Sequence, residues 1–205
     1  KGIMSHFGPL HINSEYRPSY NISPSQLSPV VMNNSEEREL TAMKWGLVPS
    51  WTKDEKIKLI NARSETAHEK PSFKNSLRSK RCLIPADGFI EWRGTEKQPC
   101  YIYLKDQELF GFAGLWSTWN SPEGVSLNTY SILTTEANKK LSPIHARMPV
   151  ILPPKQYKAW LAPDSSLDTL RALLTAYPSE EFGFHPVSKE VNSPKNNLPE
   201  ILQNL

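Results

Sequence analysis

The chain has 205 residues, 38% hydrophobic and 22% charged, which suits one soluble globular domain with its own core. A formal net charge of +3 and a pI near 8.8 permit a nucleic-acid partner without requiring one. The two cysteines, Cys82 and Cys100, sit in apolar surroundings without metal-ligand spacing. They read as reduced, buried thiols of a cytoplasmic protein, and neither a membrane-spanning run nor a signal peptide is visible.

Eighteen prolines against nine glycines favour short strands with ordered connections over long helices. In chain order, strands are predicted at 27–32, 40–48, 82–92, 100–104, 109–116, 128–135 and 150–152. The run Phe110-Gly111-Phe112-Ala113-Gly114-Leu115-Trp116 alternates large with small residues, a pattern that suits a tightly curved sheet or a barrel. A short helix is predicted at 72–78, and another at 154–161 with proline in its first turn. A third, at 166–177, carries Leu167, Leu170, Leu173 and Leu174 at helical spacing. The expected fold is α+β: a single domain over 1–205 with a mainly antiparallel, strongly curved or barrel-like sheet and flanking helices.

Three short runs concentrate groups that do chemistry. In Ile144-His145-Ala146-Arg147-Met148-Pro149, an extended backbone puts His145 and Arg147 on one face. There an arginine can hold a phosphate or carboxylate while the imidazole transfers protons. Pro85-Ala86-Asp87-Gly88-Phe89-Ile90-Glu91-Trp92 sets Glu91 among apolar groups, where a carboxylate either finds a basic partner or has a raised pKa. The plainer alternative is an edge-strand glutamate facing water. Asn61, Arg63 and Glu65 alternate after Lys58-Leu59-Ile60. If extended, they share a side, with Arg63 suited to a phosphate and Asn61 to a sugar or base edge. The alternative has Ser64 capping a short helix whose dipole Glu65 complements.

Trp45 and Trp51 flank a proline turn, with Lys53, Lys56 and Lys58 beside them and Lys70, Lys74, Arg78, Lys80 and Arg81 beyond. Two indoles near basic residues suit a stacking platform for unpaired bases. The histidines, at 6, 11, 68, 145 and 185, lack ligand spacing. A metal hydrolase built on His145 and Glu91 therefore has little support, and no metal or cofactor is expected.

These runs and their order resemble the SRAP family, the SOS response-associated peptidases. Tyr16 to Gln26 is similar to that family's opening Tyr-Asn-Ile-Ala-Pro-Thr-Gln segment, which carries Asn21 and Pro24. Trp45 to Trp51 resembles Trp-Gly-Leu-x-Pro-x-Trp, and Asn61 to Thr66 resembles Asn-Ala-Arg-x-Glu-Thr. Arg81 to Trp92, Thr134 to Asn138, His145 to Pro149 and Val187 to Asn192 follow in the family's order. The resemblance implies a protein of the DNA-damage response, a monomer in the cytoplasm or on the bacterial nucleoid. It would bind single-stranded DNA containing abasic sites and trap the abasic aldehyde covalently. Family members do this with a cysteine directly after the initiator methionine, exposed by self-processing. Its α-amine condenses with the aldehyde and its thiol closes a thiazolidine. By matched position the resemblance makes Glu91, His145 and Asn61 catalytic. It makes Arg63, Arg147, Trp45, Trp51, Asn21 and Pro24 DNA-binding.

The chain opens Lys1-Gly2-Ile3-Met4 rather than Met-Cys-Gly-Arg, and neither Cys82 nor Cys100 carries a free α-amine. The expectation adopted is that an N-terminal segment ahead of Lys1 supplies the cysteine. The alternative is a noncatalytic single-stranded nucleic-acid binder that has lost the nucleophile.

Overall fold

The computed structural model describes residues 2–14, 17–34 and 37–205, and of Asn34 the backbone alone. Lys1 and Tyr16, which figure in the motifs above, lie outside the described residues. In chain order the elements are α1 (Gly2–Phe7), β1 (His11–Ile12), β2 (Leu27–Asn34), β3 (Glu37–Trp45), β4 (Asn61–Arg63), α2 (Lys74–Ser79), β5 (Arg81–Ala86) and β6 (Phe89–Arg93). Then come β7 (Gln98–Leu104), β8 (Phe110–Asn120), β9 (Ser126–Glu136), β10 (Arg147–Pro149), β11 (Ile151–Leu152), α3 (Tyr157–Leu161), α4 (Leu167–Leu173) and β12 (Phe182–Pro186).

Five strands close on themselves in the order β3–β2–β5–β8–β9 and back to β3. The β2–β3, β2–β5, β5–β8 and β8–β9 pairings are antiparallel. The closing β3–β9 contact is parallel, through Lys44↔Thr129 and Trp45↔Tyr130. Closure removes the unpaired edges that an open sheet would expose. The tight curvature depends on small residues. A Cβ at Gly114 of β8 would lie 2.2 Å from Ile84 Cδ1 and 2.9 Å from Cys82 Sγ, so a side chain there would push β5 away.

Both faces of the barrel wall are covered, because neighbouring residues of a strand point in opposite directions. Val31, Leu83 and Leu133 pack with Phe7, Tyr157, Trp160 and Leu170 of the helices. Their chain neighbours Val30, Ile84 and Ile132 join a second cluster with Ile102, Leu104 and Phe182. That second cluster is closed by a three-stranded antiparallel sheet, β12–β7–β6. Helix α3 is anchored by the Trp160 indole, fully buried, which donates to the Cys82 carbonyl at 2.9 Å. The buried Arg81 guanidinium ties it further by donating to the carbonyls of Trp160, Leu77, Arg78 and Ala162. Helix α4 is capped at its N-terminus by Ser166 Oγ, which accepts from Thr169 N at 3.1 Å.

The α+β barrel agrees with the sequence expectation, with local differences. The single strand expected over 82–92 is two strands in different sheets, broken at Asp87-Gly88. The break is enforced by close approach: a Cβ at Gly88 would sit 2.3 Å from the Tyr101 ring. The third helix stops at Leu173, well short of 177. Strand β12 and helix α1 were not anticipated; His6 of α1 contacts Tyr157 through its ring nitrogen at 2.9 Å. Ser64 does not cap a helix but opens a run of turns that precedes α2. Among the described residues no helix is long and apolar enough to cross a membrane, and no group of three or more His, Cys, Asp and Glu is placed to hold a metal ion.

Candidate functional site

Between the barrel and the three-stranded sheet lies a cavity of about 770 Å³. Its apolar floor is formed by Ile84, Phe112 and Ile132 of the barrel. A hydroxyl pair sits among them, Ser28 and Tyr130 at 2.6 Å. Trp45 stacks parallel to Tyr130, with ring centroids 6.4 Å apart and planes within 5°, and its Nε1 donates to the Ile60 carbonyl at 2.9 Å. The indole is thereby fixed as one flat side of the cavity.

The chemistry-bearing side chains reach this cavity through the far end of β9. Strand β4 pairs with β9 in parallel, Asn61↔Ile132 and Arg63↔Thr134, while β10 pairs antiparallel, Arg147↔Glu136 and Pro149↔Thr134. Two segments some eighty residues apart in the chain thus meet at Thr134. In β4 the alternation is exposed–buried–exposed, so Asn61 and Arg63 share the open face while Ala62 faces the core. Among the described residues neither the Asn61 carboxamide nor the Arg63 guanidinium has a hydrogen bond or ion pair. Both are free to meet a ligand.

His145 lies two residues before the start of β10. Its Nδ1 lies 3.1 Å from the Arg147 N–H and 3.0 Å from the Arg147 carbonyl. Either tautomer therefore finds a backbone partner, and Nε2 is left for the cavity. Glu91 enters from β6. Burial pushes its carboxyl above the usual range, and the nearby His145 charge, the Trp92 N–H and Lys97 oppose that rise. A carboxyl whose protonated form burial favours, close to an imidazole, is a pair of groups through which a proton can be passed.

Arg147 behaves differently from Arg63. Its guanidinium grips Glu65 in a two-pronged pair at 2.8 and 2.9 Å and also donates to the Thr134 carbonyl at 2.6 Å. The hydrogen bonds from Arg147 hold the Glu65 carboxyl below its ordinary range. The Arg147 Nε is buried with no hydrogen-bond partner among the described residues. Arg147 is a fixed positive wall rather than a free cation, and Glu65, read as a helix-dipole residue, is its counter-ion.

The remaining candidates divide. Pro24 is exposed at the rim. Asn21 lines the cavity but is largely buried, its amide nitrogen engaged with three backbone carbonyls. Trp51 is 61% exposed and does not line the cavity, so the two indoles do not form one platform. The proline turn between them carries Trp51 away, while Trp45 is held by β3. Three lining features went unread in the sequence: the Ser28–Tyr130 pair, Trp92, and the C-terminal asparagines that hold the wall. Each depends on contacts between distant segments. The dense asparagines of Val191-Asn192-Ser193-Pro194-Lys195-Asn196-Asn197 were the available signal for the last.

A closed barrel whose side cavity gathers a buried carboxyl, an imidazole, a free carboxamide and two guanidiniums defines a class of protein suited to an anionic substrate on which protons are moved. Comparison with known proteins places the chain within that class. The family model for SOS response associated peptidase (SRAP) matches residues 2–194, and the chain belongs to that family. It is 49% identical over 195 residues to the abasic site processing protein YoqW of Bacillus subtilis, covering 92% of this chain and 87% of that one. It is 37% identical to the abasic site processing protein HMCES of Xenopus tropicalis, covering 93% of this chain and 67% of that one. Among solved structures, a Bacteroides thetaiotaomicron protein superposes with a TM-score of 0.81 at 32% identity, over 88% of this chain and 82% of its own. A Bordetella bronchiseptica protein gives 0.80 at 28%, over 91% and 94%.

Proposed function

We propose that the protein binds single-stranded DNA at abasic sites and forms a thiazolidine crosslink through an N-terminal cysteine exposed by self-processing. The observation that supports this reading best is the convergence of Asn61, Arg63, Glu91 and His145 on one cavity. The names of the relatives, abasic site processing proteins, point the same way and do not favour a binder without chemistry.

In this reading Arg63 takes a DNA phosphate, Arg147 supplies the fixed positive wall, Asn61 orients the sugar and Trp45 offers a flat face to an unstacked group. Pro24 shapes the rim. The α-amine of the cysteine adds to the C1′ aldehyde, and the resulting carbinolamine loses water to give an imine. The thiol sulfur then adds to the imine carbon and its proton passes to the nitrogen. Net, aldehyde plus aminothiol gives thiazolidine plus one water. Glu91 donates the proton that lets water leave, and His145 carries protons to and from the amine and the thiol.

Fluorescence anisotropy tests the binding half. A single-stranded oligonucleotide carrying one tetrahydrofuran abasic analogue should bind more tightly than the intact strand and than blunt duplex, with affinity falling as salt rises. Equal affinity for all three would overturn the reading.

A further inference from the structure

One wall of the cavity is built from an irregular segment and a short 3-10 turn, and asparagine side chains tie the two together. Residues 18–24 form one part of it, and Val191, Asn192 and Pro194, in and just after the 3-10 turn Lys189–Asn192, form the other. The Asn21 Nδ2 donates to the carbonyls of Val191, Ser193 and Asn196 at 3.0, 3.1 and 3.0 Å. In return the Asn197 Oδ1 accepts from Ser19 Oγ, Tyr20 N and Asn21 N at 3.1, 2.7 and 3.1 Å. The orientation of both amides is chemically forced. Carbonyls only accept, so the Asn21 nitrogen must face them, and backbone N–H groups only donate, so the Asn197 oxygen must face them. Among the described residues the backbone of 17–22 makes no other hydrogen bond. A third amide extends the clamp to the catalytic side: Asn192 Oδ1 accepts from Trp92 Nε1 at 2.8 Å, one residue beyond Glu91.

We infer that Asn21 and Asn197 are positioning residues whose reciprocal clamp sets one wall of the cavity that Asn61 and Arg63 also line, and so sets the preference for an abasic nucleotide over an intact one. The inference rests on the proposed function for its DNA readout and on geometry for the clamp itself. Asn21 is buried and its loss would disturb packing. Asn197 is exposed, so truncating it leaves the core intact and isolates the clamp.

The chemistry predicts an asymmetry. Asn197→Asp keeps an oxygen that accepts all three hydrogen bonds, whereas Asn197→Ala keeps none. Asn197→Gln moves the acceptor outward by one methylene and serves as a second disruptive variant. Two readouts are taken on folded protein: amide hydrogen exchange at Tyr20 and Asn21, and the ratio of affinities for single strands with and without the tetrahydrofuran site. Asn197→Ala and Asn197→Gln should strip protection from both amides and lower the ratio about five-fold. Asn197→Asp should retain both. Unchanged protection in Asn197→Ala, or lost protection with an unchanged ratio, would overturn the inference, as would Asn197→Asp behaving like alanine. If the unsubstituted protein itself shows no preference for the abasic strand, it is the proposed function that fails. Exchange at the two amides then decides the clamp alone.

Discussion

Arg63→Ala isolates the cation that the structure leaves free. Arg63 stands on the open face of β4, its backbone held by pairing with Thr134. Its guanidinium is unbonded among the described residues, so deleting it should change folding stability by no more than about 0.5 kcal/mol. Binding should respond much more. A charge-assisted hydrogen bond to a phosphate is worth about 1–3 kcal/mol, which is roughly a 5- to 150-fold rise in Kd. Each phosphate neutralised on a single strand contributes about 0.7 to the slope of log affinity against log salt. The assay is anisotropy with the abasic-analogue strand across a salt series. The variant should bind more weakly at every salt concentration, with a slope shallower by about 0.7. Weaker binding with an unchanged slope would mean that Arg63 acts by shape rather than by charge. Unchanged binding would remove it from the site.

Other outcomes follow from the same geometry. For Glu91, the folded-state pKa lies above the ordinary 4.5, so its ionised form burdens the folded protein, and the burden grows as pH rises from 4.5 through the raised value. Glu91→Gln should therefore gain thermal stability relative to the parent toward neutral pH and show no gain at acid pH, while slowing crosslinking by the form extended to an N-terminal cysteine by about 10²–10⁴-fold. Glu65 carries the opposite sign: its pKa lies below 4.5, so its pairing stabilises fully above that value and is lost as pH falls through the lowered one. A pH series of Tm should find Glu65→Gln destabilised at neutral pH, with the deficit closing in acid. Gly88→Ala should cost about 1–3 kcal/mol, because its Cβ would overlap the Tyr101 ring at 2.3 Å. A double-mutant cycle with Tyr101→Ala should recover most of that loss.

The fold was legible where local pattern and tertiary structure agree. The large–small alternation of 110–116 does mark a strand of a tightly curved barrel, because Gly114 lets β5 and β8 close up. The break within 82–92 had a local signal, because the Asp87-Gly88 turn dipeptide interrupts two apolar runs; the Tyr101 ring, supplied by another strand, adds that no side chain fits at position 88. Asn61 and Arg63 could be read as partners because strand alternation is a local rule. The commitment of Arg147 to Glu65 could not, since it joins residues 82 positions apart. Asn21 shows the same limit. A motif can mark a residue as necessary, yet only its three carbonyl partners show that its amide nitrogen holds the wall. Trp51 lies outside the cavity for a simpler reason: closeness in sequence to Trp45 says nothing about which side of a proline turn an indole takes.

Denaturing gel electrophoresis with an oligonucleotide carrying a true abasic aldehyde tests the central claim most directly. Three polypeptides are compared: the chain starting at Lys1, the same chain extended upstream to a free N-terminal cysteine, and that extension with serine in place of the cysteine. The account predicts a heat-stable DNA–protein band from the cysteine form alone. The serine form retains the amine but can reach only a hydrolysable imine, and Cys82 and Cys100 are buried without a free α-amine. A heat-stable band from the Lys1 form or the serine form would contradict the aminothiol chemistry, and no band from the cysteine form would contradict the assignment of this cavity to abasic DNA.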